Sequence, residues 1–97
     1  MDVKDKLTDL YDALLALQTR EEAHSFLKDL LTPLEETSIQ ERWKVCQLIH
    51  SEKFSYRDIH SITGASLVTI GRVARFLKTE NYKGYQVILK RLEQGDK

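Results

Sequence analysis

SYRDIHSITGASLVTIGRVARFLK, residues 55–78, is the stretch on which the fold turns. Ser55-Tyr56-Arg57-Asp58 has the form of a helix cap, with a hydroxyl placed to accept a backbone N–H that the first turn leaves unpaired. It opens a helix of barely two turns, Tyr56 to Ser61, that stops near Thr63-Gly64-Ala65. Ser66 then caps a second helix running to about Lys78. Two short helices around a glycine-containing turn of about four residues describe a helix-turn-helix. Ile59, Gly64, Ala65, Ile70 and Val73 fall where such a unit needs a tight turn and apolar contacts between crossing helices.

Working outward, the flanking sequence is helical as well. Upstream, Leu7, Leu10, Tyr11, Leu14, Leu15 and Leu17 recur at helical spacing, with Asp9 and Asp12 in the early turns where the helix dipole favours anions. They predict a first helix over about 5–17. Thr19-Arg20-Glu21-Glu22 is a capping box, and Ala23, Phe26, Leu27, Leu30 and Leu31 continue as an apolar stripe over about 20–31. Thr32-Pro33-Leu34-Glu35 repeats the device with proline at the first helical position, and Ile39, Trp43, Val45, Cys46 and Ile49 give the inward face of a long helix over about 33–51. Downstream, Asn81-Tyr82-Lys83-Gly84 breaks the chain, and Tyr85, Val87, Ile88, Leu89 and Leu92 build a last helix over about 84–93. The expectation is an all-α fold of six helices without strands. Four glycines and one proline leave little punctuation for the many turns of an all-β fold.

Composition narrows the function. Ninety-seven residues, 41% hydrophobic and 31% charged, predict one globular domain spanning 1–97, with 5–52 and 84–93 forming the core and dimer seam around 55–78. No apolar run approaches the ~18 residues that cross a bilayer, so no membrane partner is expected. The N-terminus alternates charge without an apolar signal core, which places the protein in the cytoplasm. The zero net charge is asymmetric: residues 1–40 sum to −5 and residues 41–97 to +5, so a polyanion would meet the second part. One cysteine, Cys46, cannot close an internal disulfide; it sits on an apolar helix face and reads as a core thiol. The three histidines lack the spacing of a zinc site, so neither metal nor cofactor is expected. His24 and His50 read as surface or interface histidines, and Trp43 as an anchor of the core or dimer seam. No glycine-rich phosphate loop, carboxylate pair or nucleophile triad appears, and an enzyme is not expected.

From Leu30 to about Leu92 the chain resembles the Trp repressor superfamily. The residues that carry the resemblance are Leu31-Thr32-Pro33 opening the long helix, Arg42 upon it, Thr63-Gly64-Ala65-Ser66 at the turn, and Thr69, Ile70 and Arg72 in the second helix. Arg72-Val73, Arg75-Phe76-Leu77 and Asn81-Tyr82-Lys83-Gly84-Tyr85 look most like the YerC/YecD-type branch. The resemblance implies an intertwined homodimer whose two helix-turn-helix units bind double-stranded DNA and regulate transcription, most simply as a repressor. The docking geometry that the resemblance implies is the one common to helix-turn-helix dimers, with the second helix of each unit in a major groove.

On that reading the candidate DNA contacts are Ser55, Arg57, His60, Ala65, Ser66, Leu67, Val68, Thr69, Arg72, Arg75 and Lys78. Ser66, Leu67, Val68 and Thr69 open the helix that would enter a major groove, where hydroxyls can bond base edges and Leu or Val can touch a thymine methyl. Arg57 matches a base-reading arginine position of the resembled repressors, and His60 stands one turn later, within reach of a phosphate or base edge. Arg72, Arg75 and Lys78 share one flank, with no acid between residues 59 and 79. The alternative is a helix-turn-helix used for protein interaction, without specific DNA binding.

The resemblance also implies an effector pocket of Thr32, Arg42, Arg72, Val73 and Phe76. In the resembled repressors two arginines bracket tryptophan, with a glycine and a serine making room for it. Arg42, Arg72 and Thr32 keep their places, whereas Val73 stands at the glycine position and Phe76 at the serine position. Both changes oppose tryptophan, sterically and by loss of a hydroxyl. Phe76 is expected to act as a built-in plug, unless the two arginines accept some other small anion.

Overall fold

A computed structural model describes residues 2–95. Among them lie six α-helices and no strand: α1 (Leu10–Ala16), α2 (Arg20–Leu30), α3 (Pro33–Ser51), α4 (Tyr56–Thr63), α5 (Leu67–Lys78) and α6 (Gly84–Gly95). No helix among them is long and apolar enough to cross a membrane. The chain divides into two compact units, the first ending at Glu36 and the second beginning at Thr37.

In the first unit, side-chain caps set where each helix starts. The single helix expected over 5–17 is a 3-10 turn, Val3–Lys6, followed by α1. The break has a local cause. The Asp9 carboxylate accepts the Asp12 N–H at 3.0 Å, which makes Asp9 an N-cap, a position far better suited to aspartate than a helix interior. Thr19 caps α2 by accepting the Glu22 N–H at 3.0 Å, and Glu22 reaches back to the Gln18 N–H at 2.9 Å. Thr32 and Glu35 form a reciprocal pair at the start of α3, at 3.2 and 2.9 Å, and these hydrogen bonds hold the Glu35 carboxyl below its usual range. Lys28 and Glu36 join at 3.1 Å. Despite this order no residue of the 3-10 turn, α1 or α2 is buried, and Val3, Leu7, Tyr11 and Leu15 stand open.

The second unit holds the core. Val45, Cys46 and Ile49 from α3 pack with Ile59 of α4, Ala65 of the turn, Ile70, Val73, Ala74 and Leu77 of α5, and Leu89 of α6, with Trp43, Leu48 and Tyr85 against them. Ile39, expected on the inward face of α3, is exposed. α4 runs two residues further than expected, to Thr63, whose hydroxyl bonds back to the Ile59 carbonyl at 2.7 Å. It stops at Gly64, whose φ of +78° a side chain would strain.

Burial pushes the Cys46 thiol up to about 11. The fold thus favours the protonated thiol. This contribution is complete below about pH 9 and should be lost as pH rises toward 11. Denaturant titrations over that window should show stability falling, and native protein should resist thiol-labelling reagents until it unfolds.

Candidate nucleic-acid interface

The helix-turn-helix is closed by side chains before any ligand is considered. Ser55 accepts the Asp58 N–H at 3.0 Å while Asp58 accepts the Ser55 N–H at 3.1 Å, the capping box that opens α4. Asp58 is thereby turned onto its own backbone. At the other end, Ser66 accepts the Thr69 N–H at 3.1 Å and its hydroxyl lies 3.1 Å from the Thr69 hydroxyl. No acid lies in the first turn of α5, whose unpaired N–H groups make that end favourable for anions.

What α5 presents is an apolar tip followed by cations. Leu67 is 60% and Val68 83% exposed, although the core needs apolar residues; burial in α5 begins at Ile70 and continues with Val73, Ala74 and Leu77. Arg72, Arg75 and Lys78 follow, all exposed, and Arg57 is exposed on α4. Two details modify this flank. Arg75 pairs with Glu80, Nε to Oε2 at 3.6 Å, so an acid just past the charge-free run partly neutralises it. Arg72 and Arg75 also lie over the Phe76 ring, with Cζ 4.3 and 5.1 Å from its centroid, and Phe76 stacks on Tyr82 at 6.2 Å.

Two expected contacts sit differently. Ala65 is 1% exposed and its N–H bonds the Thr63 hydroxyl at 3.1 Å, so it forms the interior of the turn and not its reading surface. His60 is exposed, but its Nδ1 lies 2.7 Å from the Ala65 carbonyl, so one side of the ring is already engaged.

Beside α5 lies a cleft of about 550 Å³, lined by Arg42, Trp43, Arg72, Val73, Phe76, Tyr82, Lys83, Gly84, Tyr85 and Ile88. It brings together four of the five residues expected around an effector. The fifth, Thr32, belongs to the first unit and caps α3. Val73 is buried in the core. Phe76 occupies one wall, held between Arg72 and Tyr82, and leaves the cleft open beside it. Trp43 stacks on Tyr85 at 6.5 Å, so the expected core anchor also forms part of this wall. Burial raises the Tyr85 phenol, with Cys46 adding to the effect and Arg42 and Arg72 opposing it. The sequence reading missed Tyr82, Lys83, Tyr85 and Ile88 here. The Asn81–Tyr85 run was visible as a break before a helix, but nothing in its spacing says which helix it faces. His50 meets Glu93 across α3 and α6 at 3.6 Å, again without any signal in spacing. Among the described residues no group of three His, Cys, Asp or Glu converges as a metal site.

Comparison with known proteins agrees with this geometry. Residues 5–93 match the Trp repressor protein family. The YerC protein of Bacillus subtilis (strain 168) is 35% identical over 91 residues, covering 94% of this chain and 86% of that protein. The crystal structure of a TrpR like protein from Eubacterium eligens ATCC 27750 superimposes with a TM-score of 0.80 at 36% identity, covering 92% of this chain and 95% of that one. A second crystal structure, from Staphylococcus aureus, gives 0.80 at 35% identity over 96% and 95%. A match over nearly the whole length, in sequence and in helix arrangement alike, means that this chain belongs to the Trp repressor family, in its YerC-type branch.

Proposed function

We propose that the protein is a DNA-binding transcriptional repressor that acts in the cytoplasm as a homodimer on an inverted-repeat operator, and that it does so without tryptophan. The observation that carries the reading is the tip of α5: Leu67 and Val68 exposed beside the Ser66 cap, with Arg57, Arg72, Arg75 and Lys78 alongside. Such a tip offers methyl and hydroxyl contacts to base edges and cations to phosphates. It has none of the bidentate readers of guanine or adenine at its start, so preference rests on small contacts, bridging water and DNA shape. The family is one of transcription regulators rather than enzymes.

A second copy is the natural cover for the first unit, where no residue of α1 or α2 is buried and Leu7, Tyr11 and Leu15 are open. Independence from tryptophan rests on Phe76. Its ring lies under Arg72, so one of the two arginines that would bracket an indole already has an aromatic partner from its own helix. An indole entering the cleft would meet the Phe76 ring where it packs under Arg72, with no hydroxyl at that position to bind an ammonium group.

Binding-site selection from random DNA tests the reading. The expected product is an inverted repeat with half-site centres about 34–36 Å apart, bound by a species of twice the 11.3 kDa chain mass in light scattering. Recovery of no enriched palindrome would favour the protein-interaction alternative. In the same assay tryptophan should leave affinity unchanged; micromolar binding of tryptophan that tightens the DNA complex would overturn its exclusion.

A further inference from the structure

His60 grips the turn of the helix-turn-helix at two points. Its backbone carbonyl accepts the Gly64 N–H at 2.9 Å, and its ring Nδ1 lies 2.7 Å from the Ala65 carbonyl oxygen. A carbonyl oxygen only accepts, so Nδ1 carries the hydrogen and, in the neutral ring, Nε2 carries the lone pair. Ala65 is held at its other end as well: its N–H is accepted at 3.1 Å by the Thr63 hydroxyl, which itself donates to the Ile59 carbonyl at 2.7 Å. The last turn of α4 therefore supplies a side-chain partner for each backbone polar group of a residue whose side chain is buried in the core. The next residue is Ser66, the N-cap of α5.

We infer that His60 is a positioning residue: its Nδ1–H, donated to the Ala65 carbonyl, fixes where α5 begins and how its tip is aimed, and this orienting role is separate from any contact between the ring and DNA. The inference deepens the DNA-binding reading and rests on it only for its consequence, namely that sequence discrimination depends on the aim of Leu67, Val68 and Thr69. The physical ground is that the Ala65 carbonyl, once it loses this side-chain partner, is satisfied by water instead, which does not tie α4 to the start of α5.

Two substitutions separate orienting from touching. His60→Asn places an amide N–H where Nδ1 stands but removes everything beyond it. His60→Gln places its polar group where Nε2 stands and has nothing at Nδ1. If His60 orients the helix, Asn should keep the wild-type ratio of specific to non-specific DNA affinity and Gln should lower it about tenfold, with little change in the salt slope. The reverse pattern, with Gln retained and Asn impaired, would show contact with DNA and overturn the inference.

A second measurement needs no DNA. Nitrogen NMR of the free protein should show the Nδ1–H tautomer at His60. Amide exchange at Thr69 and Ile70, whose N–H groups bond Ser66 at 3.1 and 3.0 Å, should be faster in His60→Gln than in wild type or His60→Asn. Equal exchange in all three proteins would sink the orienting role. If exchange behaves as expected while no variant, wild type included, discriminates between DNA sequences, the orienting role stands and the DNA-binding reading fails.

Discussion

Raising the salt from about 50 to about 200 mM should weaken binding to the selected operator by roughly 10³- to 10⁴-fold. The figure follows from three or four phosphate contacts per subunit, which in a dimer give a slope of about −5 to −7 in log affinity against log salt. The exposed cations Arg57, Arg72, Arg75 and Lys78 set that number, but not equally. Arg72→Ala removes one contact from each subunit and should flatten the slope by about two. Arg75→Ala should flatten it less, because Glu80 already shares that charge at 3.6 Å. Removing the acid with Glu80→Gln should instead raise affinity at low salt. Filter binding or fluorescence anisotropy across a salt series reads all of these, and an affinity indifferent to salt would exclude phosphate contact by this flank. Val68→Ala, on the exposed tip of α5, should leave the slope intact and change which sequences are preferred.

The largest effect on stability should come from Ile70→Ala. Ile70 is 0% exposed and sits with Ile59, Ala65 and Val73 where α4 and α5 cross. Truncating such a side chain typically costs about 2–5 kcal/mol, from lost transfer free energy and the cavity left behind. That is a large share of the roughly 5–15 kcal/mol that holds a small protein folded. Chemical denaturation should therefore show a clear drop in midpoint. Val68→Ala, two residues away but 83% exposed, should stay within about 0.5 kcal/mol of wild type. The two positions share a helix and differ in the face they occupy. If both variants were equally stable, the packing at the helix crossing would be wrong.

The sequence by itself determined the helices and their punctuation. Thr19, Thr32, Ser55 and Ser66 are caps because a short side-chain oxygen beside the first turn meets a nearby N–H whatever lies elsewhere in the chain. Gly64 ends α4 for a reason equally local, its left-handed backbone. Asp9 obeyed the same rule more strictly than the apolar spacing around it suggested, which is why the expected first helix is broken there. The apolar stripe of the helix-turn-helix was legible too, and Ile59, Ile70 and Val73 are buried as their spacing predicts. Tertiary structure alone decided what is brought together across long separations. Tyr82, Lys83 and Tyr85 share a cleft with Arg42 some forty residues away, and Glu93 of α6 meets His50 of α3. Periodicity gives the face of a helix but not the neighbour that face meets, because the neighbour is chosen by the packing of the whole core. The bond from His60 to Ala65 lies between these cases. It spans five residues, yet only once the turn has closed does the ring nitrogen meet the carbonyl that fixes its hydrogen.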